Sequence, residues 1–206
     1  MHRTLMLLLG VALLGLGRAA SAADAPMDPR MVEHAIGDAN APVRMDEYYS
    51  LDCPHCARFE EEVLPQIKAN YIDKGQVRIV FHDFPLHETA LQATMIARCA
   101  PPDRFFAIVD TLFRVQTGWV LQSPQASTDA LKQQAKFAGM TDAQVDACLN
   151  DRMLEDEILA ERLDAEKKLQ INATPTFIFN QQSDDRVVAE GPYEKFQQKL
   201  DALLKK

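Results

Sequence analysis

The chain has 206 residues, 47% of them hydrophobic, with 30 acidic against 22 basic side chains and a formal net charge of −8. That length suits one domain, or one domain with an insertion, and the apolar fraction is enough for a sizeable core without metal or disulfide staples. Nucleic-acid binding needs positive charge gathered on one face; no basic block occurs here, so that class is set aside.

In chain order, His2 and Arg3 open a short positive region, followed by the apolar run LMLLLGVALLGLG, which Arg18 closes. The run is shorter than the ~20 apolar residues that span a bilayer. With Ala20-Ser21-Ala22 behind it, it reads as a signal peptide over residues 1–22, cleaved near Ala22 on export. Residues 23–40, with Pro26 and Pro29, read as a flexible leader. A strand is predicted over 41–49, then a helix from Pro54 to about Ala69, with Phe59, Val63, Leu64 and Ile67 at helical spacing and a kink or break near its middle at Pro65. The β-branched run 77–81 is a second strand.

From about Glu88 to Lys168 the pattern is helical. Leu91, Met95 and Cys99 share a face, and Asp103 precedes a helix carrying Phe105, Phe106, Val109, Leu112 and Phe113. Thr128 is the predicted cap of another helix, ended by Gly139. Thr141 with Gln144 forms a capping box ahead of Val145 and Cys148. A charged helix over 151–169 follows, its Glu155 to Lys168 run read as a solvated face. Strand signals return at 176–179 and 186–189, with a turn at 181–185, and Gly191-Pro192 leads into a helix bearing Phe196, Leu200, Leu203 and Leu204. The order β-α-β, helical block, β-β-α describes a small mixed sheet with a helical domain inserted in its middle. Trp119 is read as core or groove packing, and His34 and His87 as surface residues.

Cys53-Pro54-His55-Cys56 falls at the junction of the first strand and first helix. That spacing in a helical turn brings two sulfurs within bonding reach, and Pro54 suits the first helical position. Cys53 then lies at the helix N-terminus, where unpaired N–H groups and the dipole favour the thiolate, which is the nucleophile of disulfide exchange. His55 adds a ring able to donate a hydrogen bond to the sulfur or to carry positive charge. Each unit by which the thiol pKa falls stabilises the ionised, reduced form by about 1.4 kcal/mol, which makes the pair oxidising. A structural zinc site would want two more ligands at paired spacing, and no second CxxC is present, so no metal is assigned.

Glu47-Tyr48-Tyr49-Ser50-Leu51-Asp52-Cys53-Pro54-His55-Cys56, the following Phe59, Phe84-Pro85-Leu86 and the Thr174-Pro175 loop together resemble the DsbA family of periplasmic thiol–disulfide interchange proteins, from about Ala41 to the end. The resemblance implies an α/β thioredoxin fold, a mixed central sheet with an inserted all-helical domain. The thioredoxin-like part would be 41–86 with 170–206, and the insertion 87–169. It implies Cys53 as the attacking cysteine, His55 as its stabiliser, Cys56 as the resolving cysteine, and Pro175 as a cis-proline whose preceding residue, Thr174, meets the substrate chain. It also implies Glu47 as a buried acid beneath the site; Arg78 or His82, on the neighbouring predicted strand, is a candidate basic partner, and the sequence does not decide between them. The implied activity is protein-disulfide oxidation in the periplasm. Reduced or unfolded exported proteins are the substrates, a DsbB-like membrane oxidase recharges the pair, and no cofactor beyond it is needed. A monomer is expected. A disulfide isomerase or reductase is the alternative, and a CxxC metal-binding or chaperone module a further one.

Cys99 and Cys148 lie on apolar faces of two predicted helices, and export with an even cysteine count favours a structural disulfide between them over two buried thiols. Closing that loop of about 50 residues contributes roughly 4 kcal/mol on a chain-entropy estimate.

Overall fold

A computed structural model describes residues 28–189 and 191–205; the signal peptide assigned to 1–22 lies outside the described residues. Five strands form one mixed sheet: β1 (His34–Ile36), β2 (Val43–Tyr49), β3 (Val77–Asp83), β4 (Thr176–Phe179) and β5 (Gln182–Val188), in the order β1-β3-β2-β4-β5. β2 runs parallel to β3 and antiparallel to β4, with Glu47 opposite Phe81 on one side and Phe177 on the other. Six of the seven β2 residues are buried, as expected for a central strand covered on both faces.

Alternation along β2 and β3 assigns each side chain to a face. Val43, Met45 and Tyr49 join Val77, Ile79 and Phe81 in the main core, with Phe59, Phe177, Phe179 and Phe196. Tyr48 turns to the opposite face and packs with Phe84, Ala165, Ile171 and Ile178.

The helix after β2 is a continuous run in four parts: α1 (Pro54–Arg58), a π turn over Phe59–Val63, α2 (Leu64–Ile67) and a second π turn over Lys68–Ile72. Pro65 neither breaks it nor ends it early. It is the second residue of α2, directly after the wide turn, where its missing N–H and bulky ring are tolerated. Phe59, Val63, Ile67 and Tyr71 all point inward.

Five helices lie between β3 and β4: α3 (Glu88–Cys99), α4 (Phe105–Arg114), α5 (Pro124–Phe137), α6 (Asp142–Leu149) and α7 (Arg152–Leu169); α8 (Tyr193–Leu204) closes the chain against β2 and α2. The Thr141–Gln144 capping box has both halves, with Thr141 N donating to Gln144 Oε1 (2.8 Å) and Gln144 N to Thr141 Oγ1 (3.3 Å). Gly139, at φ +90°, turns the chain out of α5. The start of α5 is corrected: Ser123 caps it and Pro124 is its first residue, while Thr128 sits a turn inside and donates to Gln92 Oε1 at 2.7 Å. Pro at the first helical position after Ser is the stronger start signal. The charged helix α7 is not wholly solvated, since Leu154, Ile158 and Ala165 are buried.

The leader assigned to 23–40 is not loose over its described part. Residues 34–36 add β1 to the edge of β3 with His34 opposite Phe81. His34, read as a surface residue, is 8% exposed and stacks on Phe105 at 3.4 Å between ring centroids. Burial, then the Arg98 charge, depress its pKa to about 4, so it packs as a neutral ring. Arg98 itself is buried, donating to Asp83 Oδ2 (2.6 Å) and to the carbonyls of Arg30 and Val32 (2.9 and 3.0 Å), which straps this segment to α3. A three-residue strand is too short to show periodicity. The turn placed at 181–185 also contracts, to Asn180-Gln181, both at positive φ, and β5 begins at Gln182.

Candidate active site

β2 delivers the chain to the site, and a short loop turns it into α1. Ser50 organises that loop: its hydroxyl donates to Asp52 Oδ1 (2.6 Å) and accepts from Leu86 N (3.1 Å), while its carbonyl accepts from Cys53 N (3.1 Å). Asp52 Oδ2 meets His87 Nδ1 at 2.6 Å on the exposed side. Cys53 is the extended N-cap residue and Pro54 the first residue of α1, as the spacing predicts.

The two sulfurs have opposite surroundings. Cys53 is 6% exposed, and its Sγ lies 3.3 Å from the Thr174 carbonyl oxygen; the Thr174–Pro175 bond is cis. The Cys56 thiol, hydrogen-bonded to the Cys53 sulfur, lowers the Cys53 pKa to about 5 against the burial that opposes it, with further help from the backbone N–H groups of Cys56 and His55. Cys56 is fully buried, and burial, then the neighbouring Cys53 sulfur and the Glu47 carboxylate, push its thiol well up. Proline and histidine between them remain exposed, with His55 Nδ1 2.7 Å from Arg58 Nη2. An arginine can only donate, so this ring nitrogen accepts.

Beneath the pair, Glu47 is completely buried and neither carboxylate oxygen has a hydrogen-bond partner among the described residues. Burial first, then the nearby Glu60, hold its pKa well above the ordinary carboxylate value. Arg78 and His82 are not its partners. Both face the other side of the sheet, where Arg78 donates to Glu33 (2.6 Å) and His82 Nε2 pairs with Asp46 (2.8 Å). Asp46 and Glu161 raise His82 to about 9 although burial opposes it, so this ring is a cation tied to its own acids.

Two contributors are missed by sequence reasoning. Glu60 follows Cys56 by one turn; its Oε1 is buried without a hydrogen-bond partner among the described residues, and burial, then Asp110, push its pKa up to about 8. The i, i+4 spacing from Cys56 is the signal that points to it. Gln116, between α4 and α5, reaches across from the helical block, its Nε2 donating to Leu51 O (2.8 Å) and Cys53 O (3.0 Å). A single glutamine in a loop carries no sequence signal. Trp119 is core, fully buried with Nε1 donating to Leu112 O at 2.8 Å, whereas the next two residues, Val120 and Leu121, are exposed. Gln116→Ala is expected to cost about 1–2 kcal/mol in urea unfolding, by leaving loop carbonyls short of a donor. An unchanged midpoint would mean that water replaces the amide fully.

The thioredoxin family model matches residues 30–202. The chain belongs to the thioredoxin family. Its architecture is of DsbA type: the α-DsbA1 of Wolbachia pipientis superposes with a TM-score of 0.77 at 27% identity, covering 84% of this chain and 91% of that one. A protein-disulfide isomerase from Novosphingobium aromaticivorans shares the fold, with a TM-score of 0.72 at 23% identity over 84% of this chain and 98% of that one. In sequence, the chain is 25% identical over 146 residues to a putative protein-disulfide oxidoreductase of Rickettsia bellii, covering 70% of this chain and 56% of the relative. It is 27% identical over 183 residues to disulfide bond formation protein D of Bacillus subtilis, covering 82% and 76%. The chain thus spans about half the length of the Rickettsia relatives it matches.

Proposed function

We propose that this protein is an exported protein-disulfide oxidase that donates a Cys53–Cys56 disulfide to reduced or unfolded proteins in the periplasm. The observation that carries the reading is the split between the two thiols, one held down to about 5 and the other pushed up by burial. A thiolate that stable at Cys53 favours the reduced pair, so the disulfide readily takes electrons from a substrate.

A substrate thiolate attacks the Cys53 sulfur of the oxidised pair, the Cys53–Cys56 bond breaks, and Cys56 leaves as a buried thiolate that takes up a proton. A second substrate thiolate then attacks the substrate sulfur of the mixed disulfide. Cys53 departs as a stabilised thiolate and the substrate keeps the new disulfide. Pro54 and His55 set the first turn of α1, and Thr174 and Pro175 flank the sulfur where the substrate backbone docks. Glu47, its pKa raised by burial and by Glu60, supplies the proton to Cys56 and takes one back on reoxidation. The cysteine pair is the only redox group required. A DsbB-like membrane oxidase recharges it, a signal peptide over 1–22 delivers it to the periplasm, and it works as a monomer. The names of the Wolbachia and Bacillus relatives support this reading.

Equilibration of the mature protein with glutathione buffers tests the direction of electron flow. A reduction potential well above that of thioredoxin, about −270 mV, is expected, together with oxidation of a reduced substrate protein. A potential near thioredoxin's, or recovery of scrambled ribonuclease without added oxidant, would replace the oxidase by a reductase or isomerase.

A further inference from the structure

A second sulfur pair lies away from the site, and its surroundings repeat the asymmetry of the first. Cys99, the last residue of α3, and Cys148, on α6, form a disulfide. Both line a surface cavity of about 370 Å³, walled also by Arg30, Arg104, Gln144 and Asp151. Cys99 is only half-buried and receives a hydrogen bond from Arg30 Nη1 at 3.5 Å, whereas Cys148 is 3% exposed with its sulfur 3.0 Å from the Met95 carbonyl oxygen.

Arg30 is fixed in place. Its Nε donates to Asp28 Oδ1 (2.9 Å) and its Nη2 to Asp151 Oδ2 (2.6 Å). The C-terminal end of α3 disfavours a thiolate at Cys99, and the guanidinium on the sulfur offsets that. The opening has the size of a small-ligand pocket and mixed charge, two guanidinium groups and a carboxylate.

We propose that Cys99–Cys148 is a second exchange site, opened by a low-molecular-weight thiol that carries carboxylate and ammonium groups and seats in this cavity. Its thiolate attacks the reachable Cys99 sulfur and the Cys99–Cys148 bond breaks. The electron pair goes to Cys148, which takes a proton and as a thiol donates to the Met95 carbonyl. A second molecule of the small thiol attacks its partner's sulfur in the mixed disulfide, releasing a disulfide of two small thiols and the Cys99 thiolate beside Arg30. Two thiols are oxidised and one protein disulfide is reduced. Arg104 binds a carboxylate of the incoming molecule and Asp151 its ammonium.

The test uses the full mature chain with Cys53→Ser and Cys56→Ser, exposed to reduced glutathione or to 2-mercaptoethanol at equal thiolate concentration, quenched by alkylation and mapped by peptide mass. The adduct is expected on Cys99, forming in the folded protein faster than global unfolding. Arg104→Gln should slow glutathione about five-fold, the worth of one partly exposed ion pair, and leave 2-mercaptoethanol within about two-fold. An adduct on Cys148, opening no faster than unfolding, or an equal effect of Arg104→Gln on both thiols would overturn the proposal.

Discussion

Between about pH 5 and pH 8 the dithiol form is expected to gain about 2 kcal/mol of unfolding free energy relative to the disulfide form, after allowance for solvent near the Cys53 sulfur. The folded pKa of Cys53 is depressed to about 5 from an ordinary 9.0. A depressed group contributes stability that is fully present above the unfolded value and is lost as pH falls through the folded one. Over this window the unfolded thiol holds a proton that the folded thiolate has released, so stability rises with pH. Cys56 is raised, so its contribution is lost only above the ordinary thiol range, outside the window. The disulfide form lacks both titrations, and subtracting its urea curve cancels what the carboxylates do in either form. Parallel curves for the two forms across the window would show that Cys53 titrates as an ordinary thiol. Cys56→Ala should move the Cys53 titration upward, read by thiolate absorbance, because the Cys56 thiol is its largest stabiliser.

Replacing Glu47 by leucine should stabilise the disulfide form more at pH 8 than at pH 5. The sign is opposite to that of Cys53. Glu47 has a raised folded pKa, so its stability is fully present below the unfolded value of about 4.5 and is lost as pH rises towards the folded one. A buried carboxyl with no hydrogen-bond partner among the described residues, and another acid near it, gains nothing when it ionises. Glu60→Gln should act in the same direction, over a window closing near pH 8. The same Glu47→Leu protein should form mixed disulfides with a reduced substrate about ten-fold more slowly, since the departing Cys56 thiolate loses its proton donor. Urea midpoints at the two pH values decide the first part; a pH-independent gain would mean that simple repacking explains it.

The cysteine motif, its strand-to-helix setting, the capping box at Thr141 and the order of the major elements are written in local residue pattern, and so they can be read in the sequence. What escapes is carried by tertiary contact. β1 exists because β3 offers an open edge and Phe105 offers a ring, neither of which lies near His34 in sequence. The bond from Gln116 to the active loop joins residues 65 and 63 positions apart. Pro65 does not break its helix because its cost is removed by a π turn that no propensity rule anticipates. Arg78 and His82 were candidate partners for Glu47 by proximity of strands, and pleat parity excludes both.

That parity makes β2 a partition. Asp46 and Glu47 are consecutive acids. Although burial opposes it, His82 and Arg44 hold Asp46 below the usual carboxylate range, while burial and Glu60 push Glu47 well above it. The peptide bond between them separates a salty compartment from an oily one. A slip of β2 by a single residue against β3 and β4 would exchange the two, leaving a stranded anion under Cys56 and wasting the cations on the far side. Correct pairing of this strand is therefore inseparable from correct redox chemistry, and a misregistered molecule would be both unstable and inert.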